Sequence, residues 1–158
     1  MDGTVGIQFE TSRFGTIAID PNEIITITQP ILGFQEYRRF LLLPGPAPFL
    51  KWLQSTDSGQ LAFIVMDPSV TVRDYKVELS AQDLAELAAV SPEEVEVYTL
   101  VVVPPDPSQV RTNLKAPIVL NPKHRLAKQV VLDSDYPIQF FLAREGAHRE
   151  VSDAGTDA

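Results

Sequence analysis

The side chains that most often carry chemistry are few in this chain. His124 and His148 are its only histidines, and neither has a partner at ligand spacing. A histidine metal site needs several ligands converging on one ion, and a Ser-His-Asp relay needs an oriented base; neither pattern is supported. There is no cysteine, which removes thiolate nucleophiles, thiolate metal ligands and disulfides together, and suits a reducing compartment. The 8 glycines are scattered and form neither GxGxxG nor GxxxxGK[ST], so no phosphate loop is expected. Glu93 and Glu94 are adjacent, so they point apart and do not face each other as an acid/base pair. Asp67 and Asp74 flank a proline turn. Without a dense run of oxygen ligands they read as turn-capping aspartates, not as a hard-cation site. The reading is a protein with no metal, no cofactor and no catalytic centre.

Charge is more informative. The 158 residues carry a net charge of −8, unevenly distributed. Residues 67–106 hold 9 acidic and 2 basic side chains, whereas residues 111–128 hold 5 basic and none acidic. An acidic protein repels nucleic-acid phosphate, so direct nucleic-acid binding is disfavoured, and a concentrated acidic stretch attracts a basic partner. The acidic residues of that face are Asp67, Asp74, Glu78, Glu93, Glu94 and Glu96, with Glu94 and Glu96 on one face if both lie in a strand. Paired at a partly solvated rim, each contributes at most about 1 kcal/mol, and their sum acts mainly on association rate.

The elements that must position these groups are mostly strands. Two-residue alternation recurs in Val5–Phe9, Thr16–Asp20 and Tyr75–Leu79, and Ile24–Ile27, Phe40–Leu43 and Leu61–Met66 read as β runs rich in branched or large apolar residues. Val95–Val103 ends in the run Leu100-Val101-Val102-Val103, expected to be buried on both faces. Ile118–Leu120, Gln129–Leu132 and Ile138–Ala143 follow, separated throughout by turn formers such as Asp20-Pro21-Asn22, Pro44-Gly45-Pro46 and Asp57-Ser58-Gly59. Helices are few. Ser80–Ala89 begins with a capping box of Ser80 and Asp83 and places Leu84, Leu87 and Ala88 on one face. Pro48–Gln54 is expected as a short helix docking Phe49, Trp52 and Leu53, and Ser91-Pro92-Glu93-Glu94 as a single turn.

Many short strands with frequent Gly/Pro turns imply an all-β, mainly antiparallel, compact barrel-like single domain with one or two short helices, spanning residues 1–143. No long apolar stripe is left over, so a monomer is expected. The hydrophobic pattern stops after Ala143, and 144–158 is expected to be a disordered acidic tail. Met1-Asp2-Gly3-Thr4 shows no secretory signal, and the longest apolar run is six residues, against the ~20 needed to span a bilayer. A cytoplasmic protein with no membrane contact is expected.

Several stretches carry a resemblance. They are Ile31-Leu32-Gly33-Phe34, Pro48-Phe49-Leu50 with Leu53-Gln54-Ser55, Phe63-Ile64-Val65 with Asp67-Pro68, and Asp74-Tyr75. The strongest are Asn113-Leu114-Lys115-Ala116-Pro117-Ile118-Val119 and Arg125–Leu132. In this order, over about residues 5–142, the chain resembles the flagellar assembly factor FliW family. Leu32 stands where that family often has proline, which alters only the stiffness of the turn.

The resemblance implies a binding protein with a barrel-like β domain. It implies that the chain binds CsrA, a small basic RNA-binding dimer, relieving repression of flagellin mRNA, and that it binds flagellin. The acidic stretch then has a named basic partner. For flagellin, the implied ligand is an amphipathic terminal helix. The expected surface is a shallow apolar groove at Leu53, Gln54 and Ser55 and at Asn113 and Leu114, each pairing a large apolar side chain with an amide. Two other readings stay open: a flagellin chaperone with no regulatory role, and a β-barrel enzyme of unrecognised substrate.

Overall fold

Short alternating runs cut by proline and glycine can bury one face each only by closing on one another. In a computed structural model, which describes residues 7–143, they do so. The strands are β1 (Ile7–Thr11), β2 (Gly15–Ile19), β3 (Ile25–Gln29), β4 (Arg39–Pro44), β5 (Leu50–Ser55), β6 (Ala62–Met66), β7 (Glu96–Val102), β8 (Arg111–Thr112), β9 (Ile118–Asn121), β10 (Leu126–Gln129) and β11 (Phe140–Phe141), with one α-helix, α1 (Ala81–Glu86). Strands β3-β4-β5-β6-β7-β9-β10 form a closed seven-stranded barrel, β10 returning to β3. Every ladder is antiparallel except β10 with β3. Strands β8 and β11 extend from the far end of β7, and β1–β2 is a separate hairpin.

Ile25, Ile27, Phe40, Leu53, Val65, Ile118 and Leu120 fill the barrel. The space left among them is about 10 Å³, too small for a ligand. A second layer lies outside β9, where Leu87, Val119, Val130 and Leu132 pack together with Val77, Leu79 and Val95. The strand buried on both faces is therefore β9, not the end of β7: Val102 and Val103 are about half exposed. The hairpin β1–β2 is seated on the 56–61 turn by a bond from the Ser12 amide to the Gly59 carbonyl (3.0 Å). A side chain at Gly59 would collide with the Glu10 carbonyl, so that approach requires glycine.

Three expected elements differ. Pro48–Gln54 is not helical; Leu50–Ser55 is a strand because both its edges are taken, by β4 and β6, and two ladders outweigh local helix preference. Tyr75–Leu79 alternates but pairs with no strand. β10 occupies Leu126–Gln129, earlier than expected, and beyond it Val130 and Leu132 make single bonds to the Pro117 and Lys115 carbonyls. The tail expected at 144–158 lies outside the described residues.

The helix follows its capping signal. The Ser80 hydroxyl accepts from the Asp83 amide (3.0 Å), and the Asp83 carboxylate accepts from the Ser80 amide (2.9 Å). At the other end Ala88 turns left-handed (φ 55°), and buried Asn121 donates to the Leu87 carbonyl (2.8 Å). Between these caps Lys128, 7% exposed on β10, places its Nζ 2.6 Å from both Asp83 and Glu86.

Burial opposes the Lys128 charge, yet the two carboxylates hold its pKa above the ordinary lysine value. Partial burial raises Asp83, but hydrogen bonds from Lys128 and Ser80 outweigh it and bring the carboxyl below its usual range. The Lys128 bond, followed by that from Gln82, lowers Glu86 as well. Groups with lowered acid pKa values stabilise above about pH 4 and lose that contribution as pH falls; a raised lysine loses its contribution only above about pH 10. Lys128→Met is therefore expected to lower the melting temperature by roughly 5 °C at neutral pH. Melts recorded from pH 7 down to 3 should show that difference shrinking below pH 4.

Candidate functional site

The acidic stretch acquires shape where β6 ends. Asp67 caps a 3-10 turn at Pro68–Val70, its carboxylate accepting from the Ser69 amide (3.0 Å) and hydroxyl (2.7 Å). Pro68 has no amide proton and cannot continue a ladder. β6 thus pairs with β7 only at Thr99–Val101. Glu96–Tyr98 keep β9 on one edge and have no strand on the other. A groove of about 530 Å³ opens there, with Asp67, Pro68 and Ser69 on one side, Val95–Tyr98 on another, and Tyr75, Val77 and Leu79 opposite.

Its electrostatics are negative. Asp67 and Glu96 line it against a single cation, Lys51. The Tyr98 ring packs on the barrel core, and its hydroxyl donates to Glu96 (2.9 Å). Burial first, then the carboxylates of Glu96 and Asp67, push the Tyr98 phenol well above its ordinary pKa, so it stays neutral and donating. Tyr75, whose phenol burial likewise raises, donates to the Leu114 carbonyl (2.6 Å) and packs its ring, tilted by 43°, against Tyr136 with centroids 4.6 Å apart. The site presents carboxylates, a phenol and an apolar floor, an arrangement suited to holding a cationic, partly apolar segment.

Of the six acidic residues read from the sequence, the groove brings together Asp67 and Glu96. Glu78 is exposed and lines a second groove of about 420 Å³ with Lys76, Asp83, Asp133 and Tyr136. Asp74, Glu93 and Glu94 are exposed on the surrounding surface. Glu94 does not share a strand face with Glu96: it lies in the 3-10 turn Pro92–Glu94 and accepts from the Val90 amide (3.3 Å). Asp67 does cap its turn, as expected for an Asp-Pro pair. Sequence reasoning missed Tyr98, Lys128 and Asn121. The signal for Tyr98 was its two-residue spacing from Glu96, and for Lys128 it was a lone cation in an apolar strand.

Of the residues expected to form a flagellin groove, Leu53, Gln54, Ser55 and Leu114 are interior and Asn113 is half-buried. Leu53 is 4% exposed in the barrel core, and Gln54 and Ser55 are wholly buried. Gln54 Nε2 faces the Ser55, Gly59 and Leu61 carbonyls at 3.0–3.3 Å, and Ser55 Oγ accepts from the Asp57 and Ser58 amides. Leu114, 1% exposed, packs with Val72 and Phe140. Asn113 Oδ1 accepts from the Lys115 and Ala116 amides and closes its own turn. These side chains brace loops, and the shallow surface expected at them is not present. His124 is exposed, and His148 lies outside the described residues. Among the described residues no three His, Asp or Glu side chains gather as a metal set, and no helix is long and apolar enough to cross a membrane.

A family model described as FliW protein matches residues 8–142. The chain belongs to the FliW family. It is 37% identical to the flagellar assembly factor FliW of Ruminiclostridium cellulolyticum, over 90% of this chain and 98% of that one. It is 42% identical to the same factor of Geobacter sulfurreducens, over 78% and 77%. A crystal structure of the flagellar assembly factor FliW superposes with a TM-score of 0.80 at 30% identity, covering 86% of this chain and 96% of that one. The expected barrel-like β domain and the resemblance both hold.

Burial changes what truncation should do. Leu114→Ala is expected to destabilise this FliW-family domain by about 2–5 kcal/mol, and Asn113→Ala by about 1 kcal/mol. Urea unfolding measures both, and wild-type midpoints would place these side chains at the surface after all.

Proposed function

We propose that this chain is a non-enzymatic flagellar assembly factor that binds the translational regulator CsrA through the groove at Asp67 and Glu96, antagonises it, and exchanges it for flagellin. The observation that carries the reading is the groove: two carboxylates and a neutral phenol over an apolar floor, inside the stretch where 9 of the 21 acidic residues lie. A small basic RNA-binding dimer is the partner such a surface favours, and like-charge repulsion near its RNA site would oppose RNA without the two ligands overlapping. The family name supports an assembly role. Cytoplasmic placement follows from those partners.

For flagellin the surface that suits an amphipathic helix is a third groove, of about 430 Å³. Leu32 and Val131, 64% and 58% exposed, line it with Pro30, beside the amides of Gln29, Gln82 and Gln129 and the Asp83–Lys128–Glu86 ion network. An apolar face with amides along its rim is what a helix laid in a groove requires. This reading replaces the buried Leu53 and Leu114 positions and separates the two partners in space, so their exchange would be indirect. A chaperone without regulatory role would show the flagellin effects alone.

Association kinetics test the first partner. Asp67→Asn with Glu96→Gln is expected to slow CsrA association severalfold, and raising salt from 50 to 400 mM should slow the wild type similarly. Salt-independent association would remove the electrostatic mechanism. For flagellin, Leu32→Ala with Val131→Ala should weaken binding by about 1–3 kcal/mol with unchanged salt dependence. Wild-type affinity in that pair would move the site.

A further inference from the structure

The segment Tyr75–Leu79 has the pattern of a strand and no strand beside it. Its residues alternate in burial, with Tyr75, Val77 and Leu79 half-buried and Lys76 and Glu78 exposed, as in an extended chain. The same alternation divides two grooves: Tyr75, Val77 and Leu79 line the acidic groove, and Lys76 and Glu78 line the second. Its hydrogen bonds show which edge is used. The Lys76 amide donates to the Tyr136 hydroxyl (3.0 Å) and the Ser80 amide to Asp83, so even-numbered residues turn their backbone toward the second groove. Val77 and Leu79 therefore turn theirs toward the acidic groove, where among the described residues their amides have no hydrogen-bond partner. The facing wall is the edge of β7 at Glu96–Tyr98, which also lacks a strand.

We propose that Val77–Leu79 is a docking edge on which an extended segment of a basic partner protein adds as a strand in the acidic groove. The proposal rests on the reading of that groove as the site of a basic partner and specifies how the partner is held. A free strand edge presents amides and carbonyls in the register a second strand needs, and backbone pairing supplies the contact while side chains select the sequence. The occupant alternates. Side chains that enter the groove meet the apolar surface of Val77, Leu79 and Val95 and the carboxylates of Asp67 and Glu96. Charge complementarity therefore selects a cationic and β-branched alternation over an acidic one. Lys76 and Glu78 on the exposed face protect this short edge from pairing with copies of itself, as charges on free edges do.

The probe is acetyl-Arg-Val-Arg-Val-Arg-Val-amide, with the Glu-Val counterpart as control, titrated into the full chain and followed by NMR amide exchange. The basic peptide should slow exchange of the Val77 and Leu79 amides at least tenfold and leave the Glu78 amide unchanged. Val77→Pro, which removes a groove-facing N–H, should weaken the peptide at least tenfold. Val77→Ala, which shortens the side chain but keeps that N–H, should lose clearly less than Val77→Pro, so the difference between the two reports the amide. If Val77→Pro fails to fold, the wild-type exchange pattern decides alone. Peptide bound without protection at those two amides overturns the proposal, as does equal binding of the acidic peptide, or dimerisation that protects the same amides without peptide. Asp67→Asn with Glu96→Gln separates the two levels. Unchanged peptide affinity there overturns the acidic-groove reading itself, whereas lost affinity with no amide protection overturns only the strand pairing.

Discussion

Strand β7 has more edge to cover than its neighbours supply, and the rest of the architecture follows from how that shortage is resolved. On one side it must pair first with β9 and then with β8, because closing the barrel and carrying the β8–β11 extension both depend on it. On the other side only β6 is available, and Asp67-Pro68 stops β6 opposite Thr99. Three residues of β7 are left without a strand, and continuing β6 to cover them is barred by the proline. The groove is thus a by-product of closure. Its acidity comes from the two residues at the break, Asp67 where one strand leaves and Glu96 where the next begins.

Closure also explains why β9 is apolar on both faces. Ile118 and Leu120 complete the barrel interior, while Val119 is the floor on which Leu87 and Leu132 rest. A helix of six residues is too short to hold itself by propensity, so α1 depends on that floor, on its two caps and on Lys128. The cation is set into the wall of the barrel and faces two carboxylates on the helix. One ion network therefore ties the outer layer, and with it the Tyr75–Leu79 segment that leads into Ser80, to the strands beneath.

Local chemistry was legible in the sequence wherever one residue's own hydrogen bonds decided the outcome. The Ser80–Asp83 box, the Pro92 turn and the Asp67 cap all stand where the pattern placed them, because each is settled within four residues. What was not legible depended on neighbours distant in sequence. Pro48–Gln54 carries helical spacing but lies between β4 and β6, and no local rule shows that both edges will be occupied. Tyr75–Leu79 carries strand spacing but finds no partner, for the complementary reason. The residues expected from the sequence to bind partners fared unevenly on the same ground. Carboxylates such as Asp67 and Glu96 remain at the surface because burying them unpaired is costly, whereas Leu53 and Leu114 are buried because nothing opposes it. Gln54 and Asn113, amides read as contacts for a partner, were needed to satisfy the backbone of their own loops.

That asymmetry bears on how a small barrel acquires partners. Its interior is full, so recognition has to use what closure leaves over: a strand break, an unpaired extended segment, and the apolar side chains Leu32 and Val131 at the edge of the outer layer. These leftovers are chemically distinct. The first two offer charge and backbone, which favour fast, salt-sensitive capture of an extended cationic chain; the third offers two exposed apolar side chains beside amides and an already paired ion network, which favours an amphipathic helix. The outer layer lies between them: Asp83 lines both the second groove and the Leu32–Val131 groove, and it is one of the two carboxylates that hold Lys128. Occupancy of the apolar groove that disturbed Asp83 would be felt at Ser80, whose amide it accepts, and so at the end of the segment lining the acidic groove. Coupling between two separated partners then needs no overlap of their sites, only a shared capping box at the start of one short helix.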